Sequence, residues 1–300
     1  MMKKLETVLI SLFLLIFFTH AQLIIQTTKD VLAFWFEDLI PSLFPCIFLI
    51  HLLSTTSFFP TLAKPFSFLC PLLNLDDNAL GLVISCLLMG APSSTVLINQ
   101  ALKENRITFD MAKRLCCTVS VSSVSFYLVT CGVILLKNQT LGILLWIIQL
   151  FVSLLLLMIT KKTKIRMIIK KEAAAKTDAA VLIKNALFQT GSILFLIGGY
   201  LLIFQTLADL LTSAFPDDVR LFFRIISEFA YGCKIISSSF NQKTAFVLMS
   251  TLCGFNGLCL QFQSLSLSEM KLPVIQFVSY RCLQALLCFV TAAAVILLLP

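Results

Sequence analysis

Gly90-Ala91-Pro92-Ser93-Ser94 cuts an otherwise apolar stretch, Ala79–Leu102, near its middle. A second apolar stretch, Val219–Phe240, carries Glu228, Gly232 and Lys234 inside it. A plain spanning helix needs about 20 mainly apolar residues and avoids such groups at mid-depth, because lipid cannot satisfy a freed N–H or C=O. Paired interruptions in corresponding places of two halves point to a transporter's binding site. They predict an all-α polytopic membrane protein built as an inverted-topology repeat. Each half holds a re-entrant helical hairpin, and an extra N-terminal transmembrane helix precedes the first.

Composition supports the membrane reading. Of 300 residues, 59% are hydrophobic and 13% are charged, about half the charge a soluble domain carries. The net charge of +8 collects in short runs beside apolar segments, which reads as orientation in the bilayer rather than nucleic acid binding. The eleven cysteines are scattered, and Cys46, Cys86, Cys131, Cys253 and Cys288 all fall in apolar runs. Their spacing matches neither a zinc site nor a disulfide framework, so packing as small hydrophobes is the expected role. No cofactor or metal is expected. No nucleophile–base pair or phosphate-cradling glycine loop is legible either, so the chain does not read as an enzyme.

Outward from the two breaks, the remaining apolar runs predict the spans Leu5–Ile25, Leu39–Phe59, Leu115–Leu136, Thr140–Thr160, Phe188–Leu211, Thr244–Gln263 and Pro273–Leu299. Lys3-Lys4 before Val8–Phe18 has the outline of a signal peptide, but apolar character resumes at Leu23, which predicts a retained first helix. Gln26–Asp38 reads as an interfacial amphipathic segment, and Thr108 as the N-cap of the helix after it. Gly191, Gly198 and Gly199 are expected to let helices approach closely. The resulting units are residues 1–38 (first helix and interfacial segment), 39–160 (first repeat), 161–178 (basic linker) and 179–300 (second repeat).

Basic loops at Lys3-Lys4, Lys103–Arg114 and Lys161–Lys176 are expected on the cytoplasmic side, and the acidic Gln26–Asp38 and Pro216–Asp218 links opposite. These agree if Ala79–Leu102 enters and returns on the cytoplasmic side with Gly90 at its tip. Arms of about 11 residues would reach roughly 16 Å, half the hydrocarbon thickness. Val219–Phe240 then enters from the other side, with Glu228 to Gly232 at its tip.

Candidate substrate-binding residues follow from the breaks. Glu228 is costly in an apolar segment unless paired, protonated or wet. It pairs with Arg224 or Lys234, or it binds a coupling cation, carries a coupling proton or contacts substrate. Gly90, Pro92, Ser93 and Ser94 resemble a helix restart whose hydroxyls cap the helix or, with its open N–H groups, present donors to an anion; the alternative is a proline kink that serves packing alone. Ser122 and Ser123 lie on a hydroxyl-rich stretch that serves either substrate or helix contact. Gly232, Asn256, Gln261 and Gln263 complete the set, since Asn and Gln are poor lipid-facing residues. Arg281 is expected to snorkel to an interface or to pair with a substrate carboxylate.

These stretches carry a family resemblance. Gly90-Ala91-Pro92-Ser93-Ser94 is similar to a G-Y-P-x-G motif, keeping its first glycine and proline. Asn105-Arg106-Ile107-Thr108 with Ala112-Lys113-Arg114-Leu115 is similar to G-x-I-T…A-x-R-L. Ser120-Val-Ser-Ser-Val-Ser125-Phe126 is similar to S-N-A-S-P-S-F, Glu228-Phe-Ala-Tyr-Gly232-Cys233 to E-I-T-N-G-C, and Gly254–Gln263 to G-F-G-G-L-S-V-H-A-Q. From about Leu39 onward the chain resembles the YlbJ-type sporulation integral membrane proteins, whose halves carry the nucleoside-recognition or Gate domain. The resemblance implies a multi-pass protein of the outer forespore membrane of an endospore-forming bacterium, needed for the spore cortex. It implies passage of dipicolinic acid as the activity. A nucleoside or other metabolite permease and a non-transporting scaffold for cortex assembly stand as alternatives. Expected partners are the small-molecule substrate and the lipid bilayer, with a homo-oligomer left open and no nucleic acid.

Overall fold

The computed structural model describes residues 18–54, 58–160, 167–168, 178–268 and 272–298. The described chain is helical nearly throughout. In order the helices are α1 Ala21–Ser54, α2 Phe58–Ala63, α3 Leu69–Leu73, α4 Asp77–Met89, α5 Ser93–Lys103, α6 Phe109–Thr118, α7 Phe126–Leu135, α8 Gln139–Ile159, α9 Ala179–Thr212, α10 Asp217–Ser227, α11 Phe229–Ser239, α12 Gln242–Phe255, α13 Gly257–Leu267 and α14 Val274–Leu298. By length and composition, α1, α8, α9, α14 and the α12–α13 pair are each able to cross a membrane. The chain is therefore an all-α multi-pass membrane protein.

Several boundaries differ from those read off the sequence. Gln26–Asp38 is not a separate segment. It continues into the next span as one helix, α1, 34 residues and about 51 Å long. The winding widens to π geometry over Phe34–Leu39, inside the same helix. The first expected helix, Leu5–Ile25, lies mostly outside the described residues, as does most of the Lys161–Lys176 linker. The expected span Leu115–Leu136 is instead cut by irregular backbone between α6 and α7, and Thr244–Gln263 is cut at Asn256. Two breaks are legible in the sequence; the described residues hold four, at Gly90–Pro92, between α6 and α7, at Glu228 and at Asn256.

Local chemistry explains where helices begin. The Asp76 carboxylate accepts the Ala79 N–H at 2.7 Å, Asn138 caps α8 through Leu141 N–H, and Asn241 caps α12 through Thr244 N–H. Thr108 caps α6 as expected, accepting from Met111 N–H. Asp217 and Asp218 occupy the first turn of α10, where the helix dipole favours negative charge.

α4 and α5 fold back on each other at Gly90–Pro92, so that Cys86 Sγ lies 3.9 Å from the Ser94 carbonyl. α10 and α11 fold back at Glu228, and Arg224 sits over the Tyr231 ring at 5.4 Å from its centroid. One core joins α1, α7, α8, α11, α12 and α14 through Phe34, Tyr127, Leu145, Cys233, Phe246 and Cys288. A second gathers α4, α5, α6 and the start of α14 around Leu80, Ile98, Leu115 and Phe277. Of the three α9 glycines, only Gly198 works as a contact point. A Cβ there would fall 2.7 Å from Trp35 Cζ2, whereas Gly191 and Gly199 face open space.

Candidate functional site

Each half contributes two breaks, and they meet in pairs. Gly90 packs against the α6–α7 break so closely that an added Cβ would lie 2.6 Å from Ser123 Cα. Ala91 N–H donates to Val121 O at 2.6 Å, fastening the two loops. In the other half, Gly257 abuts Glu228's neighbour, and an added Cβ would lie 2.7 Å from Phe229 N. Asn256 and Gly257 adopt positive φ values of 70° and 56°. Asparagine and glycine tolerate this conformation best, which accounts for the cut in the helix there. Asn256 Nδ2 then crosses to the first half and donates to Ser120 O at 2.7 Å.

Beside these breaks lies a small, partly open cavity of about 40 Å³. Ser93, Ser122, Ser123, Glu228 and Gln263 supply its polar side chains, and Pro92 lines it as well. Leu43, Ile47, Phe126, Ile193 and Ile197 supply much of the apolar wall. At roughly 10–15 Å³ per water, the space holds about three waters. It is far below the few hundred Å³ that enclose an ordinary ligand.

Glu228 is 3% exposed and heads α11. Its Oε2 accepts the Tyr231 N–H at 2.6 Å, so the carboxylate caps the helix it begins. The ion pair considered from sequence does not form. Arg224 instead faces Asp209 at 3.4 Å, and Lys234 lies 3.9 Å from Asp38 and 4.8 Å from the Phe34 ring centroid. Asp209 holds a second arginine, Arg220, at 3.0 Å and also accepts from the Thr27 hydroxyl.

The other half-helix terminus is different. Pro92 precedes α5 without a side-chain cap, so the Ser93 and Ser94 hydroxyls do not cap as expected. Ser93 lines the cavity, while Ser94 is buried behind it and its N–H is satisfied by Gly90 O at 2.8 Å. Ser122 and Ser123 do not lie on a helix face; they sit in the irregular link between α6 and α7. Ser122 N–H donates to Tyr127 Oη at 3.1 Å, and the Ser123 and Ser125 hydroxyls meet at 3.2 Å.

Gln263 Nε2 donates to Cys259 Sγ at 3.3 Å, and its Oε1 is buried without a protein partner. Gln261 points elsewhere and donates to Phe255 O at 2.8 Å. Gly232 lies within α11 rather than at the hairpin tip, away from the cavity. It lets the α10 and α12 elements close in, since a Cβ would meet Leu252 Cδ2 at 2.7 Å and Ile225 O closer still.

Arg281 is fully buried in α14 and neither snorkels nor lines the cavity. Its two terminal nitrogens donate to Ser120 O and Cys117 O. A cation at the C-terminal end of α6 suits the partial negative charge of those carbonyls. Arg281 and Asn256 therefore bind the same carbonyl and hold the first-half break from the second half.

Two further features escaped the sequence reading. The sulfurs of Cys131, Cys233 and Cys253 converge within 4.8 Å of one another. A more open pocket of about 190 Å³ lies where α6 meets the start of α14, lined by Asp110, Lys113, Arg114 and Tyr280 among others. Both depend on helices distant in sequence, although each of the three cysteines stands beside a glycine. Compared with known proteins, the chain matches no family model, no curated protein and no solved structure.

Proposed function

We propose that the chain is a permease for a small ring-containing solute, moved through the space between the four helix breaks. The observation that carries this reading is that three of the breaks, together with Gln263 from the helix that follows the fourth, line one small cavity holding the Glu228 carboxylate. Interrupted backbone at membrane depth is tolerated where it is buried in protein or lines a cavity, and half-helix ends meeting at a midplane site are a recurring transporter arrangement. The two halves also have matching plans. The first has arms of 13 and 11 residues followed by a cut helix and α8; the second has arms of 11 and 11 residues followed by a cut helix and α14. In this reading they form an inverted repeat, with the two hairpins re-entering from opposite faces of the membrane.

The cavity is too small for substrate, so the halves must part during transport. Gln263 Oε1 and the Ser93 and Ser123 hydroxyls would then be ready to meet a guest. Glu228 would exchange its cap for a coupling proton, a cation or substrate. The family resemblance makes dipicolinic acid the first substrate, in the outer forespore membrane. A nucleoside is the second reading, and one observation favours it: among the described residues no lysine or arginine lines the cavity, where a dianion would want one.

Uptake of labelled dipicolinate and uridine by proteoliposomes tests both. Wild-type protein is expected to accumulate one of them, and Glu228→Gln to abolish accumulation while the protein stays folded. Glutamine keeps an oxygen that can accept from Tyr231 N–H, so loss of the cap does not confuse the result. Undiminished uptake by Glu228→Gln would remove Glu228 from the mechanism. Wild-type failure with every ring-containing solute would favour the scaffold alternative.

A further inference from the structure

We propose that Cys131, Cys233 and Cys253 form a closed thiolate site for a soft d10 metal ion, Cu(I). The three side chains come from α7, α11 and α12, and all are fully buried. Their sulfurs lie within 4.8 Å of one another, and Cys233 Sγ is 3.8 Å from Cys253 Sγ. Three sulfurs each about 2.3 Å from a shared ion in one plane would stand about 4 Å apart. The cluster is already close to that spacing, and a contraction of less than about 1 Å at the widest pair completes it.

Packing alone would place cysteines anywhere in the core, and six of the other eight are so placed, while Cys46 and Cys282 are accessible. These three share a local signature that the other eight of the eleven lack: Cys131-Gly132, Gly232-Cys233 and Cys253-Gly254. Each glycine admits a neighbouring element on another side of its helix. A Cβ on Gly132 would meet Gly142 Cα at 2.8 Å, one on Gly232 would meet Leu252 Cδ2 at 2.7 Å, and one on Gly254 would meet Ala285 Cα at 3.0 Å. The helices bearing the thiols are thus held tightly in place. The π winding of α7 adds to this. With five residues between successive bonds, it sets Cys131 one wide turn beyond the cavity-lining Phe126.

The ion follows from the donor set. Thiolates select soft ions, with Cu(I) and Zn(II) the leading candidates. Zn(II) takes four ligands, and among the described residues no fourth histidine, cysteine or carboxylate joins the three sulfurs. Cu(I) is satisfied by the sulfurs present. Phe126 and Glu228, which line the central cavity, each precede a cluster cysteine by five positions in the chain. Loading exchanges thiol protons for the ion; no electron is transferred.

The test uses full-length protein in detergent, with reductant removed under anaerobic conditions, titrated with Cu(I) against a chromogenic Cu(I) chelator. Wild-type protein is expected to hold one equivalent per chain. Cys131→Ser and Cys253→Ser are each expected to weaken binding at least tenfold, while Cys46→Ser and Cys282→Ser leave it unchanged. X-ray absorption of the loaded wild type guards against variants that fail to fold, and should show only sulfur neighbours at about 2.3 Å. Three results would each overturn the proposal: no tight equivalent in the wild type, nitrogen or oxygen neighbours at the metal, or a Cys233–Cys253 disulfide in protein isolated without oxidant. Tighter retention of Zn(II) than of Cu(I) under matched competition would overturn the choice of ion.

Discussion

Replacing Gly90 with alanine asks the chain to place a methyl group inside the backbone of the facing loop. The new Cβ would lie 2.6 Å from Ser123 Cα, and closer still to Ser123 N and the Ser122 carbonyl carbon. All three are main-chain atoms, so no side-chain rotation relieves the overlap. Gly90 also holds φ 73° with ψ 168°, a region essentially reserved for glycine, which adds about 1–3 kcal/mol for any other residue. Overpacking of a close contact adds about 1–3 kcal/mol more. A total near 4 kcal/mol should lower the melting temperature by about 10 °C in a chain of this size. A thiol-reactive fluorogenic dye reads the transition directly, because nine of the cysteines are buried and only Cys46 and Cys282 are accessible beforehand. Gly199→Ala is the control: it sits in α9 with nothing within 4 Å, and should be neutral or stabilising by up to about 1 kcal/mol. A Gly90→Ala protein melting within about 2 °C of the wild type would refute the apposition of the two loops, since that shift corresponds to less than about 1 kcal/mol.

Other substitutions probe the supports around the site. Asp209→Asn leaves Arg220 and Arg224 without their carboxylate. The expected loss is about 3 kcal/mol, the low end for breaking a buried pair, because the two arginine side chains keep 27% and 22% exposure. Chemical or thermal denaturation measures it, and an unchanged midpoint would show that the cluster contributes nothing. Arg281→Lys replaces two diverging donors by one point charge and either leaves Cys117 O without this donor or leaves Ser120 O to Asn256 alone, at about 1–3 kcal/mol. Wild-type stability in that variant would mean the guanidinium does not hold the break. Asn256→Leu removes the bond to Ser120 O and puts a branched side chain at φ 70°, so a clear fall in melting temperature is expected. A melt indistinguishable from wild type would count against the cross-half contact.

Gly90–Pro92 and Glu228 were legible as breaks because each violates the rule for an apolar helix at a single position. The cut at Asn256 was half-legible: Gly254-Phe-Asn-Gly257 was singled out for its polar side chains, not for the positive φ that ends α12. The cut between α6 and α7 was hidden, since Ser and Thr are at home on helix faces and nothing in Ser120–Ser125 forbids a helix. Arg281 was misplaced for a related reason. A long basic side chain usually reaches an interface, and only a free helix terminus beside it makes burial the better solution. The charge partner of Arg224 was misassigned because one helical turn to Glu228 looked nearer than Asp209, fifteen positions away and on another helix.

Sequence alone determined that this is a multi-pass helical membrane protein with polar interruptions in two of its apolar stretches. Hydropathy and backbone satisfaction are local constraints, written residue by residue. Tertiary structure decided which interruptions face one another, which of the polar residues reach the cavity and which merely brace it, and that three thiols from separate helices converge. Those outcomes depend on how helices pack across long separations in the chain, and packing geometry has no local signature from which it can be read.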